Sequence, residues 1–188
     1  TLLKEIAAHR GDRKLAFLVN EFSPTDIDGE EVRKVAPNVV AIPGGSIFCR
    51  CLAGDFIKYL SEIPDHFAEQ EGGPDAVVVE ASGMADPRVI AKLLHETGMD
   101  SSIELRRVVC VVDPKTLHKL LATLPAIRAQ IETADLIVVN REDEFGPEAL
   151  QEAVDTVRSI NPDATIEPTR FCRLQTDPLA PFTRPKGA

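Results

Sequence analysis

Short apolar runs recur along this chain between stretches with helical periodicity, and this alternation constrains the fold more than any other feature. The runs are rich in Val, Ile and Leu without polar alternation, which predicts strands buried on both faces, as in a parallel sheet. The predicted strands are Leu15–Val19, Val39–Ile42, Ala76–Val79, Val108–Val112, Leu136–Val139 and a weaker one at Ala164–Ile166. The predicted helices are 1–9, 54–70, 87–97, 115–132 with a break near Pro125, and 147–160. This order predicts an α/β fold, a doubly wound, mostly parallel sheet with helices on both faces.

Composition limits the classes of protein to which the chain can belong. Its 188 residues suit one domain, which we predict over 1–176, followed by an extended or disordered tail at 177–188. The net charge of -9 argues against a nucleic-acid-binding surface, and no apolar run reaches the roughly 18 residues of a membrane helix. An acidic chain can still bind a phosphorylated small molecule through backbone N–H groups and Mg²⁺. The four cysteines indicate a reducing, cytoplasmic compartment.

Polar residues follow the strand at Leu136–Val139. In open parallel sheets, ligands bind beyond the carboxyl ends of the strands. Asp143 can accept hydrogen bonds from the N1–H and the exocyclic amine of guanine, a donor pair that adenine lacks. Asn140 can bond the base edge and brace the loop, and the stem of Arg141 can cover a purine face. The alternative is an ordinary helix N-cap loop, in which Asn and Asp are common.

A carboxylate also follows the strand at Ala76–Val79. Glu80 is a candidate for holding Mg²⁺ through water or for positioning a nucleophilic water, since a carboxylate at an apolar strand tip needs a cation or donors. Gly83, two residues after Ala81, allows a phosphate to approach its backbone N–H. Asp86, before a proline, is predicted to be a helix cap, and Asp113 is interpreted in the same way.

Two further segments carry possible chemistry. The acidic loop at 20–28 lies where a nucleotide-sensing switch would be, although a solvated loop is the alternative. Cys49 and Cys51 form a C-x-C pair that can bind a metal, or they are ordinary residues at a loop–helix junction. Two thiolates do not close a tetrahedral zinc site, so a second subunit, His or water would have to complete it. The four histidines fall in helical stretches and are interpreted as surface or packed residues.

Five segments together resemble the CobW/HypB/UreG family of metal-handling P-loop GTPases, most closely its CobW-like branch. They are VNEFSPTDID (19–28), VVVEASGMADP (77–87), VVCVVDP (108–114), ADLIVVNRED (134–143) and SINPDATI (159–166). They follow the family's order at similar spacing, and the stretch 140–143 looks like its guanine motif N-K-x-D with Arg in place of Lys. The resemblance implies a P-loop NTPase-like fold of the SIMIBI type over residues 1–176.

The resemblance also implies roles for individual residues. Glu80 would be catalytic, and Asp28 and Glu80 would hold Mg²⁺ through water. The cysteines Cys49 and Cys51 would bind Zn²⁺ or another transition metal. The nucleotide, GTP or GDP, would be bound by Thr1, Asn20, Glu21, Ser82, Gly83, Asn140, Arg141 and Asp143.

The chain departs from the family pattern at three places. Thr1-Leu2-Leu3 matches the end of the family's G-x-x-G-x-G-K-T-T-L-L run, so the first strand and the phosphate-binding loop would lie upstream of residue 1. In the G-C-x-C-C region only Cys49 matches, and Cys51 is additional. Little follows residue 166, whereas CobW-like proteins usually carry a second domain.

The function implied is slow GTP hydrolysis coupled to transition-metal delivery or metallocentre assembly. The expected partners are a guanine nucleotide, a client metalloprotein and a second copy of the chain in a homodimer, without nucleic acid or membrane. The alternatives are a nucleotide-binding regulator without useful hydrolysis, an adenine-specific ATPase of the same fold, and a metal-binding or scaffold protein.

Overall fold

The computed structural model describes residues 1–9, 11–21, 39–43, 53–66 and 73–180 of the chain. These residues fall into two compact units, Ile6–Ala85 and Thr1–Glu5 with Asp86–Ala188. Among the described residues, no helix is both long and apolar enough to cross a membrane.

The unit Ile6–Ala85 is built on a three-stranded parallel sheet. Its strands are β1 (Leu15–Glu21), β2 (Val39–Pro43) and β3 (Ala76–Glu80), in the order β2-β1-β3. The central strand β1 is buried from Leu15 to Val19, as expected for a strand paired on both edges. Helix α1 (Leu2–Ala8), of which only the residues from Ile6 onward belong to this unit, precedes β1, and helix α2 (Ala53–His66) precedes β3. The buried positions of α2 are Phe56, Leu60 and Ile63.

The unit that contains Asp86–Ala188 has a second parallel sheet. Its strands are β4 (Val109–Val112), β5 (Leu136–Val139) and β6 (Thr165–Pro168), in the order β4-β5-β6. The helices are α3 (Arg88–Glu96), α4 (Pro114–Thr123), α5 (Pro125–Thr133) and α6 (Pro147–Ile160), with a 3-10 turn at Met99–Ser101. All four residues of β5 are completely buried. The parallel pairing predicted from the apolar runs is therefore confirmed in both sheets.

The break predicted near Pro125 separates α4 from α5. Leu124 between them has φ -128° and ψ 103°, the extended backbone that a following proline favours. The buried core of this unit lies where α4, α5 and α6 cover one face of the sheet. It includes Leu117, Ile131, Ile137, Val139 and Val157.

Two polar side chains fix this sheet at the amino ends of its strands. Asn161, after α6, donates to the carbonyls of Ile131 (2.8 Å) and Ala134 (2.9 Å) and accepts from the N–H of Ala164 (3.1 Å). The Asp135 carboxylate accepts from the N–H of Val108 at 2.7 Å. Because both side chains are buried, these bonds satisfy backbone groups that water does not reach.

The first residues of the predicted tail form a turn. The N–H of Leu179 donates to the Asp177 carboxylate (2.9 Å), and Arg107 donates to the Asp177 carbonyl (2.7 Å). Residues 181–188 lie outside the described part of the chain.

Candidate nucleotide-binding site

The loop after β5 begins at Asn140, whose side chain ties it to the segment after β6. Its Oδ1 accepts hydrogen bonds from the Thr169 hydroxyl (3.1 Å) and from the N–H of Cys172 (2.9 Å). The N–H of Glu142 donates to the Thr169 carbonyl at 3.0 Å, so the two loops are joined by backbone as well. The N–H of Asn140 donates to the Val112 carbonyl at 2.9 Å, which places the loop beside the end of β4. The bracing role predicted for Asn140 therefore has a definite partner, the loop after β6.

Arg141 is held by two carboxylates. Its guanidinium donates to Asp113 (2.8 Å) and, through two nitrogens, to Glu144, and it lies 5.6 Å from the centre of the Phe145 ring. These hydrogen bonds, Glu144 first and Asp113 second, hold the pKa of Arg141 above its ordinary value. The same contact with Arg141 lowers the pKa of Glu144. The sequence suggested that the Arg141 stem could cover a purine face, whereas the side chain here is engaged with its own loop and with the start of α4.

Asp143 differs from its neighbours because its carboxylate is exposed and available. Within the part of the chain that the structure describes, no group donates a hydrogen bond to it. The loop leads into α6, but neither Asn140 nor Asp143 caps this helix, since its N-cap is Gly146, without a side-chain hydrogen bond. An exposed carboxylate on a braced loop at the carboxyl end of a parallel strand can accept two N–H groups from a ligand.

Asp113 is the N-cap of α4, as predicted, whereas α3 has Pro87 as its N-cap, so Asp86 stands one residue before the cap. The Asp113 side chain accepts from the N–H of Lys115 (2.9 Å) at the start of α4, in addition to its pair with Arg141. Asp86 accepts from the N–H of Arg88 (3.0 Å) and forms a bidentate pair with its guanidinium. The Arg88 hydrogen bond lowers the pKa of Asp86.

The loop after β3 carries the second set of predicted residues. Glu80 ends β3, opposite Val19 in the register, and is half-buried. A tight turn follows, in which the Ser82 hydroxyl accepts from the N–H of Met84 (3.3 Å) and the Ser82 carbonyl from the N–H of Ala85 (2.8 Å). Gly83 is exposed, with open space where a Cβ would stand. This turn therefore leaves room for a ligand at its backbone.

The other predicted residues are placed only in part. Asn20 and Glu21 form the end of β1, but their side chains lie outside the described part of the chain, and so do Asp28, Cys49 and Cys51 in full. Thr1 is exposed, and its carbonyl accepts from the N–H groups of Lys4 (3.1 Å) and Glu5 (3.3 Å) in the first turn of α1. Among the described residues there is no group of three or more His, Cys, Asp or Glu that could hold a metal ion.

The two described cysteines are buried thiols. Burial raises the pKa of Cys110 to about 12 and also raises that of Cys172. Metal binding requires the thiolate, so both residues are better suited to packing than to metal ligation.

Sequence reasoning missed the loop after β6, residues 169–172, although it expected ligands after each predicted strand. A signal exists in the sequence, because this loop follows the weak strand predicted at Ala164–Ile166 and holds a position where ligands bind parallel sheets. The missed residues are Thr169 and Cys172, which bond Asn140, and the exposed Phe171 between them.

Known proteins match the chain over most of its length. The nucleotide-binding domain described as CobW/HypB/UreG matches residues 1–168. The zinc chaperone YeiR of Escherichia coli K12 is 31% identical over 153 residues, which are 80% of this chain and 45% of that protein. The zinc-regulated GTPase metalloprotein activator 1 of Schizosaccharomyces pombe is 29% identical over 185 residues, 93% of this chain and 43% of that protein. The chain thus spans less than half the length of these two curated relatives.

Solved structures agree with the fold. The Zn(II)-bound YjiA GTPase from E. coli has a TM-score of 0.60 at 18% identity, covering 100% of this chain and 62% of that one. A Zn(II)-bound triple mutant of YjiA has a TM-score of 0.64, covering 96% and 56% of the two chains. At 18% identity these likenesses show the fold alone, and they confirm the predicted α/β fold class.

Proposed function

The chain belongs to the CobW/HypB/UreG family, and on this premise we propose that the protein binds guanine nucleotides and hydrolyses GTP slowly, coupling hydrolysis to the delivery of a transition metal. The observation that carries the proposal is the exposed carboxylate of Asp143 on a loop that Asn140 braces against its neighbour. The names of the relatives, zinc chaperone and zinc-regulated GTPase metalloprotein activator, support zinc as the metal.

Base recognition follows from the chemistry of the loop after β5. The two oxygens of Asp143 accept the N1–H and the 2-amino group of guanine, and the amide nitrogen of Asn140 is free of acceptors among the described residues and can donate to the base edge. Adenine offers an acceptor at N1 and no 2-amino group, so its edge would leave the carboxylate unpaired. The loop therefore favours guanine over adenine.

The phosphate side of the nucleotide is assigned to the other loops. Ser82 and Gly83 lie in the open turn after β3, where a phosphate can approach the backbone. The resemblance to the family adds Thr1, Asn20 and Glu21 as nucleotide-binding residues. Glu80 would position the attacking water as the catalytic carboxylate. Mg²⁺, held through water by Glu80 and Asp28, would neutralise the phosphate charge. Glu80 is the described member of this pair, and a carboxylate that holds Mg²⁺ through water suits an ion that keeps several of its waters when bound.

The metal to be delivered would bind at Cys49 and Cys51. Soft thiolates select zinc and related transition metals over Mg²⁺. A homodimer would bring two such pairs together and complete a tetrahedral site with four sulfurs. Coupling to the nucleotide requires different metal affinities in the GTP and GDP states. A client metalloprotein would receive the metal.

The proposal is tested by changing which base the loop accepts. In the full-length protein, Asp143→Asn presents one N–H donor and one carbonyl acceptor, which match the O2 and N1–H of xanthine instead of the donor pair of guanine. We expect GDP affinity to fall by at least about a hundred-fold while XDP affinity rises. The matched control is Glu142→Gln, which removes the neighbouring exposed carboxylate and should leave the preference for GDP intact.

Phosphate release measured with GTP separates the enzyme from a regulator. Slow release by the parent protein, lost in Glu80→Gln with GDP affinity retained, would support the catalytic role. Stoichiometric GTP binding without release would contradict hydrolysis. An unchanged GDP-to-XDP preference in Asp143→Asn would contradict base recognition by this loop.

A further inference from the structure

An exposed aromatic side chain stands on the loop after β6. Phe171 has 59% of its surface accessible, one of the most exposed large apolar residues among those the structure describes. Its φ is +54°, and so is that of Cys172, in the left-handed region that non-glycine residues seldom adopt. Two consecutive left-handed residues without glycine are a conformation that the surroundings must enforce, and such strain is often found at ligand sites.

The surroundings that enforce it are the base-recognition loop and the core. The Cys172 N–H donates to Asn140, and the Cys172 side chain is buried with Leu136 and Val138 of β5. On the other side of Phe171, the Thr169 hydroxyl also donates to Asn140. Thr169 and Cys172, on either side of Phe171 in the chain, are thus fixed, while more than half of the surface of Phe171 is accessible to solvent.

Hydrogen bonds join the loop that carries Phe171 to the loop that carries Asp143. The Thr169 carbonyl accepts from the N–H of Glu142, the residue directly before Asp143. Arg141, which the motif would offer as the group over the base, is instead held by Asp113 and Glu144. The guanidinium of Arg141 is therefore engaged within its own unit, and another flat side chain would have to cover the face of a bound base.

We propose that Phe171 stacks on the guanine ring whose edge Asp143 reads, and that the bonds to Asn140 hold the ring in place for this contact. The inference rests on the proposed function, since it assumes a guanine nucleotide at this loop. Stacking uses the π face that every base has, so Phe171 contributes affinity, whereas Asp143 contributes the choice of base.

The test uses the full-length protein with GDP and IDP, the latter lacking the 2-amino group. Phe171→Ala should weaken both nucleotides by the same factor, roughly 5- to 150-fold, as loss of one base–aromatic stack does. The matched control, Leu105→Ala, removes another exposed apolar side chain of the same unit and should leave both affinities unchanged. Asp143→Asn should alter the GDP-to-IDP ratio, which Phe171→Ala leaves constant.

Two further variants separate stacking from a structural role. Phe171→Gly relieves the left-handed backbone, so its Tm should equal or exceed that of the parent while its GDP affinity falls. Phe171→Trp should restore affinity to within about threefold. The 188 residues contain no Trp. The tryptophan emission that Phe171→Trp adds to that of the parent protein therefore comes from the new indole, and a stacked guanine should quench it.

The outcomes are distinguishable from those of the proposed function. If the parent binds GDP and Phe171→Ala binds it equally well, or if GDP leaves the emission of Phe171→Trp unchanged, stacking is refuted and base recognition by Asp143 stands. If the parent protein binds no guanine nucleotide, both proposals fail.

Discussion

Replacing Asn140 by Ala removes the oxygen that joins the loops after β5 and β6. Oδ1 accepts one hydrogen bond from the Cys172 N–H at 2.9 Å and one from the Thr169 hydroxyl at 3.1 Å. Cys172 is 3% exposed and Thr169 is 2% exposed, so water does not readily take the place of the lost acceptor. The variant therefore leaves two buried donors unpaired.

The expected loss of stability follows from these two bonds. An unpaired buried backbone N–H costs about 1–3 kcal/mol, and an ordinary hydrogen bond contributes about 0.5–1.5 kcal/mol. We expect Asn140→Ala to lower the free energy of unfolding by about 3 kcal/mol. With an m value of about 2 kcal/mol/M, the urea midpoint would fall by about 1.5 M.

Two companion variants separate the role of the Asn140 side-chain oxygen, which braces the loops, from that of its amide nitrogen, which would donate to the base. Asn140→Asp keeps an oxygen for Cys172 and Thr169 but loses the amide donor, so stability should be largely retained while GDP affinity falls. Thr169→Val removes only the hydroxyl and should cost about 1 kcal/mol. Because Asn140→Ala and Thr169→Val remove the same bond, the double variant should be less destabilised than the sum of the two single changes.

The assay is urea denaturation followed by circular dichroism, with GDP affinity measured on the folded variants. A midpoint shift below about 0.3 M for Asn140→Ala, which at the same m value corresponds to less than 1 kcal/mol, would refute the bracing role. Strict additivity with Thr169→Val would show that the bond between the two side chains contributes nothing. Equal GDP affinity in Asn140→Asp and the parent would refute donation to the base edge.

Three other predictions test hydrogen bonds and ion pairs in which Asn140 takes no part. Asn161→Ala removes donation to three backbone carbonyls at 2.8–3.2 Å, so thermal and urea unfolding should show a loss of about 2–4 kcal/mol with GDP affinity unchanged. The Asp100 hydrogen bond raises the pKa of His95, so its stabilisation is fully present below pH about 6.5 and is lost as pH rises through the folded pKa. The Tm advantage of the parent over His95→Gln should therefore shrink between pH 6 and pH 8, and an advantage that grows would contradict the assignment. The Arg141–Asp113 pair is partly exposed, so raising salt from about 0.05 M to about 1 M should lower the Tm of the parent more than that of Arg141→Gln.

Local sequence was enough to predict most of the secondary structure. Apolar runs without polar alternation located the strands, and the proline at 125 divided a helical stretch into α4 and α5, because it restricts the backbone of the residue before it. The Asp-Pro pairs at 86–87 and 113–114 indicated helix starts, and Asp113 is the N-cap of α4, while the N-cap of α3 is Pro87.

The candidate site was predictable only in part. The stretch 140–143 stood out because its residue types match the donors of guanine, and the match to the family domain over residues 1–168 agrees with the resemblance. The loop after β6 has no comparable pattern, since a Thr, a Phe and a Cys have many uses. The amino-acid sequence does not show that Phe171 is exposed while Cys172 beside it is buried.

Sequence by itself determined the strands, the helix starts and breaks set by proline, and the acceptor chemistry of Asp143, because each depends on neighbours in the chain or on residue type. Tertiary structure alone decided which groups pair across the chain. Arg141 meets Asp113 over a separation of 28 residues, and Asn140 meets Cys172 over 32. Those contacts exist because β5 lies between β4 and β6, so that the loops following all three strands meet at one edge of the sheet.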